Sequence, residues 1–555
     1  MLTEERLREL LDKSLTELSC GTGWAATLEG SLAEGFGNSS SDVDFLLVCR
    51  GDRELPTMPS LLFVDGRRVE VRTRSVRQLA DRFAVLEAAD GRPDRLPEDL
   101  LDRCQRFLHS RPLRGHALIE EVKAMLPADR LRRAAAGWWA HRARQSLRHA
   151  LAMQCLGEWE EAVDWTRAGL VQTVKSWAAG VGETYLEPKW LPLQLDRAGR
   201  PEVRERYWEL DAAAPAADDD VAARALLTAC LDFAEDLGLA DVPRRPERLV
   251  LARVTGVTTW QTGARVHVLR GRHEVFALGD RAAAAWRCLV LRRPLPRVLE
   301  TAAAAGVPDA GRRLAAFLRH GLVRLTWKGG GSVTPALPLA APAGPLTPPP
   351  STVRPLLSMH GAAVSGPDAV DLVPLPAPRF AAAAMALVWS DVVVENALED
   401  LDGALQRGQW RVAEVTARRA VHAALRALFS AHGVNPLPAD CDLLRRTDLL
   451  PQSVRPIRAR ARELLGRTVD SAERGDTLRA DLAAFVAAVR EATGAGAFPA
   501  SFDSGATWRA TLRLGHDWLR LGAHLDAELP LEEARDLLTS GGAPPRPAGG
   551  EAELP

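Results

Sequence analysis

In the first 115 residues, the pattern of apolar and polar positions changes repeatedly between helix, strand and turn, which is typical of an α/β region. Apolar runs at 24–28, 43–48 and 61–64 are separated by turn-forming residues, and an Asp65-Gly66 pair precedes an alternating segment at 67–74. Alternating segments predict strands, and Asp-Gly between two of them predicts a hairpin. We therefore expect a mixed sheet covered by helices in this part of the chain.

The rest of the chain is predicted to be mostly helical, because its apolar residues recur with the 3.6-residue period of helices. One segment differs: it begins with a hairpin pattern, continues with three short helical periods and ends on a strand. The expected multi-domain α/β plus α organisation is a sheet domain at 1–115, a helical domain at 116–246, a small mixed unit at 247–328, a Pro/Ala-rich linker at 329–378, a helical domain at 379–540 and a disordered tail at 541–555.

The charges of the 555-residue chain are balanced, with 71 Lys+Arg against 72 Asp+Glu. This balance argues against nucleic acid as a partner, since nucleic-acid binding requires a basic surface. The chain has neither a basic start followed by an apolar core nor an apolar run long enough to span a membrane, so we expect a cytoplasmic protein without membrane contact. Its seven scattered cysteines argue against a zinc ribbon or a disulfide scaffold.

The stretch at 30–48, GSLAEGFGNSSSDVDFLLV, contains residues suited to nucleotide chemistry. Gly30 allows the backbone to turn tightly beside a ligand, and Ser31 can donate to phosphate oxygens. Asp42 and Asp44 are two apart on a predicted strand, so both project from the same face. Adjacent carboxylates repel each other and favour a divalent cation such as Mg²⁺, which is commonly shared with substrate phosphates. The pattern predicts metal-assisted phosphoryl or nucleotidyl transfer.

A two-metal site needs a further carboxylate, and Glu70 is the best candidate. It lies in the segment after the Asp65-Gly66 turn, with apolar neighbours that point the other way. In an antiparallel sheet this strand would lie beside 43–48 and bring Glu70 close to Asp42 and Asp44. The alternative is that Glu70 is an exposed strand residue among arginines.

These residues resemble the signature of the nucleotidyltransferase superfamily typified by DNA polymerase β, in particular its small bacterial and antibiotic-modifying members. The resemblance covers residues 1–115 and implies a polymerase β-like catalytic domain. It also implies that Gly30, Ser31 and Ser41 bind the nucleotide. Asp42, Asp44 and Glu70 would be the catalytic residues and would bind Mg²⁺. The matching positions are Gly30, Ser31, Ala33, Gly35, Ser41, Asp42 and Asp44, whereas Glu34 stands where the family often has a basic residue.

Two weaker resemblances concern the domains that follow. The segment ETYLEPKW at 183–190 resembles the helical substrate-side domain of aminoglycoside-type nucleotidyltransferases. Lys189, one of only five lysines, is the candidate for contact with nucleotide phosphate, and the alternative is a solvated loop lysine. Glu183 or Glu187 is the candidate general base. Residues 247–328 resemble the winged helix of PqqD-like proteins, which binds the leader segment of a ribosomally made peptide by strand addition. The alternative for 247–328 is a generic winged helix that braces the domains.

The expected function is transfer of a nucleoside monophosphate from an Mg-bound nucleoside triphosphate, with release of pyrophosphate. ATP is the first candidate for the donor, and a hydroxyl or similar group on a peptide or small natural product is the acceptor. Ribosomal peptide natural-product biosynthesis is the expected setting if a leader peptide binds at 247–328. One alternative is a peptide-binding or regulatory protein with a vestigial nucleotide site. Another is an antibiotic-inactivating nucleotidyltransferase.

Overall fold

The computed structural model describes residues 2–333 and 377–493, apart from short gaps at 19–22, 39–40, 53, 90–91, 217–218, 263–264, 271–273, 279, 290, 432–436 and 451. The protein has a mixed α/β fold in which helices predominate. Most of the predicted linker, the end of the predicted C-terminal helical domain and the predicted tail lie outside the described residues. Within the described part, no helix combines the length and the apolar character needed to cross a membrane.

The N-terminal module contains a five-stranded mixed sheet, as the sequence predicts. The strands are ordered β3-β4-β2-β1-β5. The β2 and β4 strands pair in parallel, and the other neighbours pair antiparallel. The five strands are β1 (Ala25–Glu29), β2 (Val43–Cys49), β3 (Ser60–Val64), β4 (Arg67–Ser75) and β5 (Arg111–Arg114).

The Glu70 strand lies beside β2 as expected, but the expectation that it runs antiparallel to β2 is wrong. The connection after β2 carries the chain to the outer edge of the sheet, where it forms β3. The predicted hairpin at Asp65 (φ 51) and Gly66 (φ 76) then reverses the chain into β4. Since β3 is antiparallel to β4, β4 returns in the direction of β2, and Asp44 is in register with Glu70.

Both faces of this sheet are covered, and strand alternation assigns each residue to one of them. Phe45 and Leu47 pack on the first face against the leucines of α1, while Leu46 and Val48 pack on the second face against α3, α4 and α6. Asp44 has the parity of Leu46 and therefore belongs to the second face. The helices of this module are α1 (Glu4–Glu17), α2 (Gly30–Ala33), α3 (Val76–Ala88), α4 (Glu98–Leu108) and α5 (His116–Lys123).

Two long helical hairpins form the framework of the rest of the molecule. In the first, α6 (Ala128–Leu156) packs along α7 (Trp159–Gly180); in the second, α14 (Ala377–Gln406) packs along α15 (Trp410–Ala431). The other helices beside them are α8 (Leu191–Arg197), α9 (Pro201–Ala212), α10 (Asp220–Asp236), α16 (Asp440–Leu443), α17 (Arg455–Leu465) and α18 (Ala472–Thr493).

The unit predicted at 247–328 has the expected order of strands, three short helices and a closing strand. Trp286 is fully buried in its core and donates from its indole nitrogen to the Thr259 hydroxyl (2.9 Å). Its elements are β6 (Leu249–Arg253), β7 (Val257–Thr262), β8 (Arg265–Arg270), β9 (Glu274–Leu278), α11 (Asp280–Arg287), β10 (Arg293–Pro294), α12 (Leu295–Ala304), α13 (Ala310–Arg319), β11 (Val323–Trp327) and β12 (Gly331–Ser332). Strands β10-β6-β11-β12 form one sheet, and β7-β8-β9 form another.

Candidate active site

Carboxylates line up across three neighbouring strands on the second face of the N-terminal sheet. Asp44 of β2 is in register with Glu29 of β1 on one side and with Glu70 of β4 on the other. Asp42 lies two residues before Asp44, immediately before β2 begins. The structure therefore brings the three predicted acids together and adds Glu29, whose side chain is buried.

An arginine accompanies each of the three predicted acids. Arg68 donates from Nε to Asp42 (2.7 Å), and Arg72 forms an ion pair with Glu70. Arg106 of α4 lies 3.5 Å from Asp44, and its Nε lies 2.9 Å from Asp102. Positive charge from the sheet and from α4 thus faces the row of acids.

Burial and mutual repulsion set the protonation of this row. Burial and the neighbouring Glu70 carboxylate together raise the pKa of Asp44 to about 7, against the effect of Arg106. Burial also raises the pKa of Glu29 to about 7, against the effects of Arg72 and Arg106. The arginines therefore do not fully compensate these buried acids, and a further cation would stabilise their ionised forms.

The loop after β1 approaches the acids closely. Gly30 has φ 72, and a Cβ at this position would overlap the Asp44 carboxylate, so glycine is required on both counts. The Ser31 carbonyl accepts from the backbone N–H groups of Phe36 (2.9 Å) and Gly37 (2.8 Å), which closes the loop. Further along, the Ser41 hydroxyl accepts from the backbone N–H of Asn38 (2.9 Å).

Glu34, the departure from the family pattern, is buried beneath this loop. Its carboxylate lies 3.1 Å from His109 Nδ1 and 3.6 Å from Arg197 of α8, and it accepts from Gln105 Nε2 (2.5 Å). Glu34 therefore ties the loop to α4 and α8, and its charge is used within the protein.

The α14 helix, far away in the sequence, forms one wall of the site. Arg68 donates to the Asn396 side chain (2.5 Å) and forms an ion pair with Glu399. Asn38, which lies between α2 and β2, packs against the backbone of this helix at Gly403. A Cβ on Gly403 would overlap the side-chain amide of Asn38. The site is thus assembled from two regions separated by more than half of the chain.

Lys189 is buried beside the same helix. It forms an ion pair with Asp400 of α14 and lies 3.5 Å from Glu187. The described contacts use the charge of Lys189 to join the segment before α8 to α14, and its contact with nucleotide phosphate stays a prediction.

The two candidate bases are both paired with arginines. Arg197 lies 3.0 Å from Glu183. Burial alone would raise the pKa of Glu187, but Arg419 and Lys189 outweigh burial and hold this pKa well below its usual value. A carboxylate that is so weakly basic is a poor proton acceptor.

Asp42, Asp44 and Glu70 have the right chemistry for Mg²⁺, because carboxylate oxygens are ligands that this ion prefers. Within the described ranges, however, no group of three or more Asp, Glu, His or Cys side chains is arranged to hold a metal ion. The ion pairs explain why: each acid is drawn to its own arginine rather than to a common point. Each arginine contacts one carboxylate oxygen of its partner, so a metal would share these three acids with Arg68, Arg72 and Arg106.

Comparison with known proteins identified no family for this chain. The chain matched none of the protein-family models, and a search of curated proteins found no similar sequence.

Sequence reasoning missed three kinds of residue at this site. Glu29 precedes the Gly-Ser pair directly, and its place at the end of an alternating strand is a usable signal. Arg68 and Arg72 alternate with Glu70, so the two-residue period of a strand assigns them to one face. Glu399 gives no local signal, because only the packing of α14 brings it to the site.

Proposed function

We propose that the chain is a Mg²⁺-dependent nucleotidyltransferase. It would move a nucleoside monophosphate, AMP from ATP as the first candidate, to a hydroxyl or similar group on a peptide or small natural product, and release pyrophosphate. The observation that carries the proposal is the row of acids on one face of the sheet, with Asp44 in register with Glu70, beside a glycine turn that only Gly30 can form.

Each part of the site has a role in this reaction. The turn at Gly30 and Ser31 would admit the triphosphate close to the backbone. Asp42, Asp44 and Glu70 would hold Mg²⁺, which when bound offsets negative charge on the phosphates and activates the attacking oxygen. Arg68, Arg72 and Arg106 already neutralise part of the charge of these acids.

These arginines also favour a second candidate function. If the ion pairs of Asp42, Asp44 and Glu70 persist when nucleotide is present, the site binds nucleotide without catalysis. The chain would then act as a regulatory or peptide-binding protein through its other domains.

Mg²⁺-dependent binding of ATP to the full-length chain separates the two candidates without knowledge of the acceptor. Calorimetry should detect binding that requires Mg²⁺, and Asp44→Asn should weaken it by about a hundredfold, the upper end of the effect of removing a supporting group at a metal site. The matched control is Asp52→Asn, because Asp52 is exposed. Pyrophosphate release over a panel of peptide and small-molecule acceptors should fall in parallel.

Two results would favour the regulatory protein instead. One is binding of ATP that is indifferent to Mg²⁺ and to Asp44→Asn. The other is the absence of pyrophosphate release from the wild-type chain with every nucleoside triphosphate and acceptor tested.

A further inference from the structure

A basic cavity of about 390 Å³ adjoins the acids on the β4 side of the site. This volume is within the usual range of small-molecule sites, roughly 300–1,000 Å³. Five regions line the cavity: Asp42 just before β2, β3 with the segment before it, β4, helices α3 and α4, and α14 through Val392 and Asn396. Neither Gly30 nor Ser31 is part of its lining. The cavity therefore lies apart from the loop expected to hold the triphosphate.

The charges that line the cavity do not balance. Five arginines and three acids contribute to its wall. Three of the arginines have a carboxylate partner, and these pairs are Arg68 with Asp42, Arg72 with Glu70, and Arg103 with Asp99. Two arginines remain, Arg74 and Arg82, and no carboxylate among the described residues forms an ion pair with either of them.

Arg74 is the more deeply buried of the two, with 3% of its surface exposed. Its guanidinium donates to the backbone carbonyls of Pro56 (3.0 Å), Thr57 (2.8 Å) and Thr73 (2.6 Å), which are neutral acceptors. Its Nε is buried and has no hydrogen-bond partner in the described part of the chain. The positive charge of Arg74 is thus oriented and held in place without a counterion.

Arg82 of α3 adds a second uncompensated charge next to the first. Burial and the positive charges of Arg82 and Arg72 together lower the pKa of Arg74 to about 10, and the more weakly acting carboxylates of Glu29 and Asp99 only partly oppose them. Like charges are brought together in a partly buried site at a cost in free energy, and an anion removes that cost. Guanidinium groups match the geometry of phosphate oxygens and can bind them with paired hydrogen bonds.

We propose that this cavity binds a phosphate group, held by Arg74 and Arg82. Because it lies beside Glu70 and apart from Ser31, the phosphate belongs to the molecule that receives the nucleotidyl group. This last step rests on the proposed function, whereas the phosphate site itself does not.

Calorimetric titration of the full-length protein with inorganic phosphate, at constant ionic strength in chloride, tests the site. We expect one phosphate to bind and Arg82→Gln to weaken it by about tenfold or more, the loss expected from a hydrogen bond to a charged group. Arg77→Gln is the matched control, because Arg77 lies on the same helix with 63% of its side chain exposed. Arg74→Met should also weaken binding, and Arg82→Gln covers the case in which loss of the Arg74 hydrogen bonds prevents folding.

Two outcomes would overturn the phosphate site, and a third would overturn its assignment to the acceptor. If the wild type does not bind phosphate, or if Arg82→Gln binds it as tightly as the wild type, the arginines do not form a phosphate site. If Mg·ATP displaces the phosphate, the cavity receives the donor triphosphate and not the acceptor.

The same measurements distinguish failure of the phosphate site from failure of the proposed nucleotidyltransferase function. If the proposed function holds, Asp44→Asn should weaken Mg²⁺-dependent ATP binding by about a hundredfold and leave phosphate binding intact. Phosphate binding by a chain that transfers no nucleotide would therefore support the site and contradict the enzyme.

Discussion

The two helical hairpins have nearly the same construction but different surroundings. Helices α6 and α14 have 29 and 30 residues, and α7 and α15 have 22 residues each. Each hairpin turns at a glycine with positive φ, Gly157 (76°) or Gly408 (63°), and each second helix begins at a tryptophan. The two turns also share the sequence Gly-x-Trp, at Gly157 and at Gly408, so a common local sequence accompanies the common local structure.

The ion pairs of the first hairpin join it to other domains. Glu161 of α7 is 1% exposed and lies 2.6 Å from Arg319 of α13 and 3.4 Å from Arg445, which follows α16. Although burial alone would raise the pKa of Glu161, hydrogen bonding to His149 and the charges of Arg445 and Arg319 hold this pKa well below its usual value.

The second hairpin presents its acids to the candidate active site. Burial raises the pKa of Glu399 to about 7, and Arg68 only partly opposes this effect. The pKa of Asp44, across the site, is raised mainly by burial as well. The difference separates two kinds of acid: Glu161 is fully buried and matched by cations, and it stabilises the assembly, whereas Glu399 and Asp44 are partly buried and under-compensated at the candidate site.

The strongest test of this contrast is Glu161→Gln. Removing one partner of a buried ion pair leaves the other charge uncompensated, so we expect the free energy of unfolding to fall by about 3–5 kcal/mol. Urea denaturation followed by circular dichroism measures the loss. Glu160→Gln is the control, because Glu160 pairs with Arg462 at the surface and should cost less than about 1 kcal/mol. Equal losses in the two variants would show that the Glu161 network is not a structural lock.

The pH dependence of the free energy of unfolding should reveal the lowered pKa of Lys175 in α7. Burial lowers the pKa of Lys175 to about 7 from its usual 10.5, and its ammonium group donates to Gln194 (2.6 Å). Between these pH values the folded chain binds fewer protons than the unfolded chain, so stability should rise with pH, by up to about 1.4 kcal/mol per unit.

Replacing Lys175 by Met should remove this slope in urea denaturation between pH 7 and 10. Lys13→Met is the control, because 52% of the Lys13 side chain is exposed. An unchanged slope in Lys175→Met would assign the pH dependence to other groups.

Gly403→Ala tests how the second hairpin docks on the N-terminal module. The equivalent position in the first hairpin is Ala152, which is fully buried, whereas Asn38 occupies the space beside Gly403. Overpacking at such a contact costs about 1–3 kcal/mol, and we expect protease cleavage between the modules to become faster. Gly137→Ala is the control, because the space around Gly137 is open. Gly475→Ala is less suitable, because a Cβ on Gly475 would contact the Leu405 side chain. Unaltered cleavage would mean that α14 does not depend on this contact.

The smallest effects are expected at the turns of the hairpins. Gly157→Ala and Gly408→Ala each place a Cβ on a backbone with positive φ, at a cost of about 1 kcal/mol. Differential scanning calorimetry should show similar shifts for both variants. A clearly larger shift in one of them would show that the two turns are not equivalent.

Local chemistry explains how much could be predicted from the sequence. Alternation and the Asp65-Gly66 turn predicted the sheet and its hairpin, because side-chain periodicity and positive φ are local properties. The spacing of Asp42 and Asp44 put both on one side of a strand for the same reason. The direction of β4 could not be predicted, since it depends on which edge of the sheet the connection after β2 reaches.

The sequence by itself determined the helical and extended segments, the glycine turn at Gly30 and the acids that follow it. Tertiary structure alone decided that Glu29 and Glu70 flank Asp44, that Arg106 faces it, and that α14 forms a wall of the site. Periodicity and turn geometry act between residues a few positions apart. Contacts between residues hundreds of positions apart are fixed by how complete elements pack, and short sequence patterns carry no record of that packing.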